Sequence, residues 1–179
     1  MSAPITLFIK AAAFAADKHR DQRRKGADAA PYINHPIAVA HVLAAEADIE
    51  DVDVLCAAIL HDTIEDTETT ATELEAAFGT RIAAIVLEVT DDKSLAKEVR
   101  KQLQIEHAAH LSREAKLVKL ADKICNLRDI LAAPPADWSF ERKADYFTWA
   151  ERVVAGLRGS NSSLDIVFER LHARRSEII

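Results

Sequence analysis

Residues 55–67 read Leu-Cys-Ala-Ala-Ile-Leu-His-Asp-Thr-Ile-Glu-Asp-Thr, an apolar run that ends in four ionisable side chains, His61, Asp62, Glu65 and Asp66. Unpaired charges are costly to bury, so a stretch meant only for a core does not normally finish this way. Val52, Leu55, Cys56, Ile59 and Leu60 recur at helical spacing and predict a buried helix. If the helix continues through the charged end, His61 stacks over Glu65 and Asp62 over Asp66. Two acceptor pairs, one turn apart at the polar end of a buried helix, suit a metal ion with a water beside it.

The bulk composition is compatible with such a site. A chain of 179 residues, nearly half of them hydrophobic, is large enough for one domain with a substantial core. Only four Gly and five Pro exclude a collagen-like or disordered chain, and the abundance of Ala, Leu, Glu and Lys favours helix. The net charge of -6 argues against a general nucleic-acid or anionic-membrane binder. The start, Met-Ser-Ala-Pro-Ile-Thr, has no signal-peptide pattern, and no segment approaches a membrane span. Cys56 and Cys125 sit among apolar residues and read as small core residues. These features place the chain in the cytoplasm.

Working outward, Ile5, Phe8, Ile9, Ala12, Ala15 and Ala16 trace one face of a first helix ending near Lys18. The basic run 19–26 follows and has two readings, a solvated helix end or an anion clamp. After a loop, Pro31-Tyr32-Ile33-Asn34-His35-Pro36 predicts a helix with Pro36 at its first position and His35 at the cap. Ile37, Ala40 and Leu43 or Ala44 then carry that helix inward. Thr70-Ala71-Thr72-Glu73 reads as a capping box and Gly79 as a stop. Ile82, Ile85, Val86 and Val89 have helical spacing, although their β-branched content leaves a strand open. Residues 95–111 form a charged amphipathic helix with Lys97, Arg100 and Lys101, and its His107 and His110 read as surface residues. Ser112 caps a long helix over 113–131 whose polar stripe, Lys119, Asp122, Asn126 and Asp129, would be solvated on an ordinary surface helix; this helix is apolar on most of its circumference, so the stripe is expected to face a cleft. Two shorter helices close the chain, the first capped by Ser139 and containing Tyr146, Phe147 and Trp149. The expected fold is an all-α bundle of roughly eight to ten helices in one domain over 1–179.

Three separated pieces offer ligands: His35, the His61-Asp62 pair and Asp122. Two imidazoles and two carboxylates form a mixed N/O set that suits Mn²⁺, Fe²⁺ or Zn²⁺. Four protein ligands on an octahedral ion leave room for water and a phosphate oxygen, the arrangement that supplies a hydroxide nucleophile near neutral pH. Glu65 and Asp66 lie one turn on, placed to orient or deprotonate the water.

The order of these segments resembles the HD superfamily of metal-dependent phosphohydrolases, and more narrowly the hydrolase domain of the RelA/SpoT homologues. The matching stretches are Arg23-Arg24-Lys25, Pro31-Tyr32-Ile33-Asn34-His35-Pro36, His61-Asp62-Thr63-Ile64-Glu65-Asp66-Thr67 and the stretch from Lys119 to Arg128. Val89-Thr90-Asp91-Asp92-Lys93 and Tyr146-Phe147-x-Trp149-Ala150 make the chain most similar to the stand-alone metazoan SpoT homologue. The resemblance implies an HD-type fold, His35, His61, Asp62 and Asp122 as ligands of one Mn²⁺, and Glu65 with Asp66 as a catalytic acidic pair. It also implies nucleotide contacts from Arg24, Lys25 and Asn126, to which Tyr146 and the local cations Lys97 and Arg100 are added. The implied reaction is hydrolysis of the 3′-pyrophosphate of ppGpp or pppGpp to GDP or GTP and pyrophosphate. NADPH or another nucleotide is the alternative substrate, and a silent metal- or nucleotide-binding regulator the alternative class. The loop at 26–30 is longer than in the long bacterial enzymes, and with the sequence ending at Ile179 the expectation is hydrolysis without a synthetase or regulatory domain.

Overall fold

A computed structural model describes residues 3–26 and 28–178. Met1, Ser2, Ala27 and Ile179, on which the N-terminal reading, the 26–30 loop and the chain end partly rest, lie outside the described residues.

The architecture is all-α. Among the described residues ten α-helical segments follow in order: α1 Pro4–Lys18, α2 Asn34–His41, α3 Val52–Leu60, α4 Thr63–Asp66, α5 Ala71–Phe78, α6 Thr80–Val89, α7 Lys97–His107, α8 Arg113–Ala132, α9 Phe140–Ala155 and α10 Ser162–Ala173. A π-helical turn, Val42–Glu46, extends α2. Among the described residues the only β pairing is an isolated bridge between Arg23 and Pro31.

Two helices carry the core. α3 is apolar apart from Asp53 in its first turn, with Val54, Cys56, Ala57, Ala58, Ile59 and Leu60 all buried, and it packs against α1, α2, α6 and α8. Full burial of an Ile or Leu side chain is worth about 1.5–3 kcal/mol, which makes α3 the fixed centre of the bundle. α8, capped by Ser112 through the Ala115 N–H, packs against α2, α3, α6, α9 and α10. Leu117, Val118, Leu120, Ala121, Ile124 and Leu127 are buried on it, and so are Lys119, Asp122 and Lys123. The first three members of the polar stripe, Lys119, Asp122 and Asn126, therefore line a cleft, while Asp129 at its end is exposed.

Three local expectations are corrected. The helix beginning at Val52 ends at Leu60, and a separate single turn, α4, starts at Thr63. His61 Nδ1 donates to the Ala58 carbonyl at 2.8 Å and Thr63 Oγ1 to the Leu60 carbonyl at 2.7 Å. These side chains bond the last carbonyls of α3 in place of the continuing ladder, so the chain turns at His61-Asp62. Second, α2 begins at Asn34, so His35 lies inside its first turn and Pro36 is its third residue. A first-turn N–H has no helical partner, and the proline ring costs nothing there. Third, Ile37 is 48% exposed; Val39, Ala40, Val42 and Leu43 are the buried face. The β-branched segment after Gly79 is helical as α6, packed against α3, α5 and α8.

Candidate metal centre and active-site cleft

The site forms where α2, the α3–α4 turn and α8 meet. The loop between α1 and α2 is pinned shut by Arg24 N–H to Ala30 O at 2.9 Å and Tyr32 N–H to Gln22 O at 3.0 Å. That closure brings Arg24 and Tyr32 beside the start of α2, which presents His35. The break after α3 presents His61 and Asp62, and the inward stripe of α8 presents Asp122.

The four side chains converge. Their atoms alternate nitrogen and oxygen around a quadrilateral. Its edges are His35 Nε2 to Asp122 Oδ1 at 3.1 Å, Asp122 Oδ1 to His61 Nε2 at 3.9 Å, His61 Nε2 to Asp62 Oδ2 at 3.0 Å, and Asp62 Oδ2 to His35 Nε2 at 3.9 Å. His35, His61 and Asp62 each offer a ligand atom within 4.8 Å of the others. Neighbouring donors on an octahedral ion with bonds of about 2.1 Å sit about 3 Å apart, close to the short edges. His61 shows the clearest fit. Its Nδ1 donates to Ala58, which leaves Nε2 as the nitrogen open to a metal ion. Nε2 is buried and has no hydrogen-bond partner, so its 3.0 Å approach to Asp62 lacks hydrogen-bond alignment. A buried ring nitrogen beside two carboxylates, able to exchange its proton for a metal ion, fits a divalent cation.

Electrostatics agree with this. Burial pulls the His61 pKa down, but Asp62 and Asp122 outweigh it and push it up to about 9. Burial raises the carboxylate pKa values, yet His61 and His35 hold Asp62 well below the usual range, and Lys123 with His35 does the same for Asp122. A cation entering the site meets two ionised carboxylates and displaces a proton from His61.

A layer of partners orients the ligands. Asp122 Oδ1 accepts from Asn126 Nδ2 at 2.6 Å, and Oδ2 from Lys123 Nζ at 2.9 Å. Lys123 also lies over the Trp149 ring at 4.6 Å. Tyr32 Oη donates to Asp62 Oδ2 at 2.6 Å. Loss of such a partner typically weakens metal binding about 10–100-fold. Tyr32→Phe is therefore expected to bind Mn²⁺ about 10–100-fold more weakly with the fold retained. Titration calorimetry measures this directly, and an unchanged affinity would remove Tyr32 from the supporting layer.

The cleft encloses about 170 Å³ and is lined by the four candidate ligand residues together with Arg24, Tyr32, Glu65, Asp91, Gln104, Lys119, Lys123 and Asn126. Glu65 faces it, with Oε2 accepting the Asp91 backbone N–H at 3.2 Å and Oε1 lying 3.6 Å from Arg100. Burial raises the Glu65 pKa, and Asp91 and Asp62 raise it further. Asp66 turns aside. Its Oδ2 accepts Gln22 Nε2 at 2.9 Å and its Oδ1 pairs with Lys93. Arg24 donates to Asn126 Oδ1 at 2.9 Å, pairs with Asp129 and lies 5.7 Å from the Tyr32 ring.

The remaining predicted contacts stand apart from the cleft wall. Lys25 and Lys97 are exposed. Arg100 lines an adjoining cavity. Tyr146 packs between Trp138 and Trp149, with ring centroids 5.9 and 5.3 Å away. Sequence reading assigned no role to Tyr32, Asp91, Gln104, Lys119 or Lys123, although Lys119 already stood in the polar stripe of α8.

The HD domain family model matches residues 11–146, a span that contains all four quadrilateral residues. The guanosine-3′,5′-bis(diphosphate) 3′-pyrophosphohydrolase MESH1 of Xenopus tropicalis is 56% identical over 165 residues, covering 92% of each chain. The human protein of the same name is 52% identical over 98% of each chain. This chain belongs to the HD-domain MESH1 family. A solved structure of a family member, described as a metazoan orthologue of SpoT that hydrolyses ppGpp and plays a role in starvation responses, superposes with a TM-score of 0.94. It is 47% identical to this chain and covers 98% of both. The quadrilateral thus sits inside the HD domain that defines the family.

Proposed function

We propose that the chain is a metal-dependent phosphohydrolase that converts ppGpp and pppGpp to GDP or GTP and pyrophosphate, with one Mn²⁺ held by His35, His61, Asp62 and Asp122. The observation that carries this reading is the convergence of two imidazole nitrogens and two carboxylates inside an HD domain, more than half identical to proteins named for this reaction. The mixed N/O donor set suits Mn²⁺. When bound, the ion supplies Lewis acidity toward a phosphoryl oxygen and acidifies a water near neutral pH.

The chain's own groups do the rest. Glu65, with its raised pKa, takes the proton from the attacking water. The water oxygen bonds to the phosphorus attached to the ribose 3′-oxygen. That P–O bond breaks, and the 3′-oxygen leaves with its electron pair and takes up a proton. Asp66 holds Gln22 and Lys93 against α4 and so fixes the turn that carries Glu65. Arg24, bonded to Asn126, presents a planar guanidinium to the nucleotide, with Lys25, Lys97 and Tyr146 farther out on the approach. We place the enzyme in the cytoplasm, a reading supported by its two buried free thiols, Cys56 and Cys125.

Competition decides the substrate. With Mn²⁺ present and ppGpp and NADPH at equal concentration, ppGpp is expected to be consumed first and pyrophosphate to be the phosphorus product. Preferential loss of NADPH, with orthophosphate released, would overturn the substrate assignment.

A further inference from the structure

The cations around the cleft are unequally paired. Arg24 bonds Asn126 and Asp129, Lys123 bonds Asp122, and Lys93 bonds Asp66. Lys119 differs. It is only 8% exposed, and its ammonium makes one hydrogen bond, 2.9 Å to the Val89 carbonyl. Asp91 Oδ1 lies 3.9 Å away, past hydrogen-bond reach. An ammonium has three donors, and a buried charge so incompletely satisfied is costly. Burial and the nearby Lys123 both hold the Lys119 pKa below the usual lysine value. Arg100 on α7 is also under-satisfied: it lies 3.6 Å from Glu65, and its buried Nε has no partner.

These two cations meet at one place. A second cavity of about 190 Å³ adjoins the candidate metal cleft through a shared wall of Asp91, Gln104 and Lys119, and Arg100 also lines it. Glu88, Asp91 and Asp92 also line this cavity, and one oxygen of each is bonded within the fold. Glu88 accepts the Ser112 N–H at 2.7 Å, Asp92 the Ser94 N–H at 2.9 Å and Asp91 the Gln104 amide at 2.6 Å. What the cavity offers an incoming group is unfilled donor capacity next to the reacting centre.

We propose that Lys119 and Arg100 bind the outer phosphate of the 3′-diphosphate, and that this contact selects a diphosphate ester over a single phosphate ester. The assignment rests on the substrate reading given above. The inner phosphorus lies at the metal ligands and is the one attacked. The outer phosphate keeps its bond to the inner one, extends past the shared wall and leaves with it as pyrophosphate. Its charge supplies the acceptors that Lys119 and Arg100 lack.

The test uses product inhibition of ppGpp hydrolysis at saturating Mn²⁺, with inorganic pyrophosphate and orthophosphate as separate inhibitors. Wild type is expected to be inhibited more strongly by pyrophosphate. Lys119→Met and Arg100→Gln should each weaken pyrophosphate inhibition about tenfold or more, the scale of a lost charge-assisted contact, and weaken orthophosphate inhibition far less. Lys119→Met replaces a poorly compensated buried charge by an apolar chain of similar length, so its melting temperature should be unchanged or higher. Arg100 is partly exposed, so Arg100→Gln carries the test even if Lys119→Met fails to fold. Unchanged pyrophosphate inhibition in Arg100→Gln overturns the assignment, as does an equal loss for both inhibitors. A wild type that forms no pyrophosphate from ppGpp overturns the substrate reading, and is recognised before any variant is compared.

Discussion

Asp122→Ala is expected to lose bound Mn²⁺ and to reduce hydrolysis by well over about 100-fold, more than the 10–100-fold typical of a partner one layer out. Asp122 is the carboxylate on which the site converges. Oδ1 lies 3.1 Å from His35 and 3.9 Å from His61, and Oδ2 accepts Lys123. Removing it has a second consequence. Lys123 is buried and would lose its carboxylate partner, and breaking a buried pair from one side typically costs about 3–5 kcal/mol. Asp122→Ala should therefore also unfold at lower temperature or denaturant concentration. The double variant Asp122→Ala/Lys123→Met should regain much of that stability without regaining metal. Metal analysis and denaturant melts of the two proteins separate the roles. Full Mn²⁺ occupancy in Asp122→Ala would remove Asp122 from the ligand set.

Glu65→Gln should lower turnover by about 10²–10⁴-fold, the usual effect of removing a general base, while metal content stays near wild type and the melting temperature at neutral pH is equal or higher. The amide keeps the size of the side chain and can still accept the Asp91 backbone N–H, so the cleft should hold its shape. The pH profile gives an independent reading. Burial, Asp91 and Asp62 raise the Glu65 pKa, so the protonated, inactive form persists to a higher pH than for an exposed glutamate. In wild type the acid limb of kcat should lie above the ordinary glutamate range, with activity rising as pH passes the raised pKa. The same shift makes protonated Glu65 the form that the fold favours, so its ionisation lowers stability as pH rises through that window. Glu65→Gln should lose this limb. Near-wild-type turnover would instead assign the proton transfer to another group, with Asp66 the next to test.

The sequence by itself determined the helical class and the identities of the groups that meet at the site. Apolar residues at helical spacing, the Thr70, Ser112 and Ser139 caps and the stop at Gly79 are local signals, and each appears as read. The quadrilateral residues were legible for a different reason: paired imidazoles and carboxylates are unusual at the edge of an apolar run, because their burial requires a partner. Periodicity could not show where side-chain hydrogen bonds end a helix. Continuous spacing placed His61 over Glu65, whereas His61 and Thr63 bond the last carbonyls of α3 and turn the chain. Only the tertiary structure decided which charges share the cleft. Glu65 and Asp66 are neighbours in sequence, yet one faces the cleft and the other bonds Gln22 and Lys93. Lys123 had no signal of burial in the sequence, and it is buried with its ammonium over Trp149 of α9, while Lys119 is held by the Val89 carbonyl. Residue type fixes what a group can bind, but burial and the approach of distant segments decide which of those capacities is left unfilled.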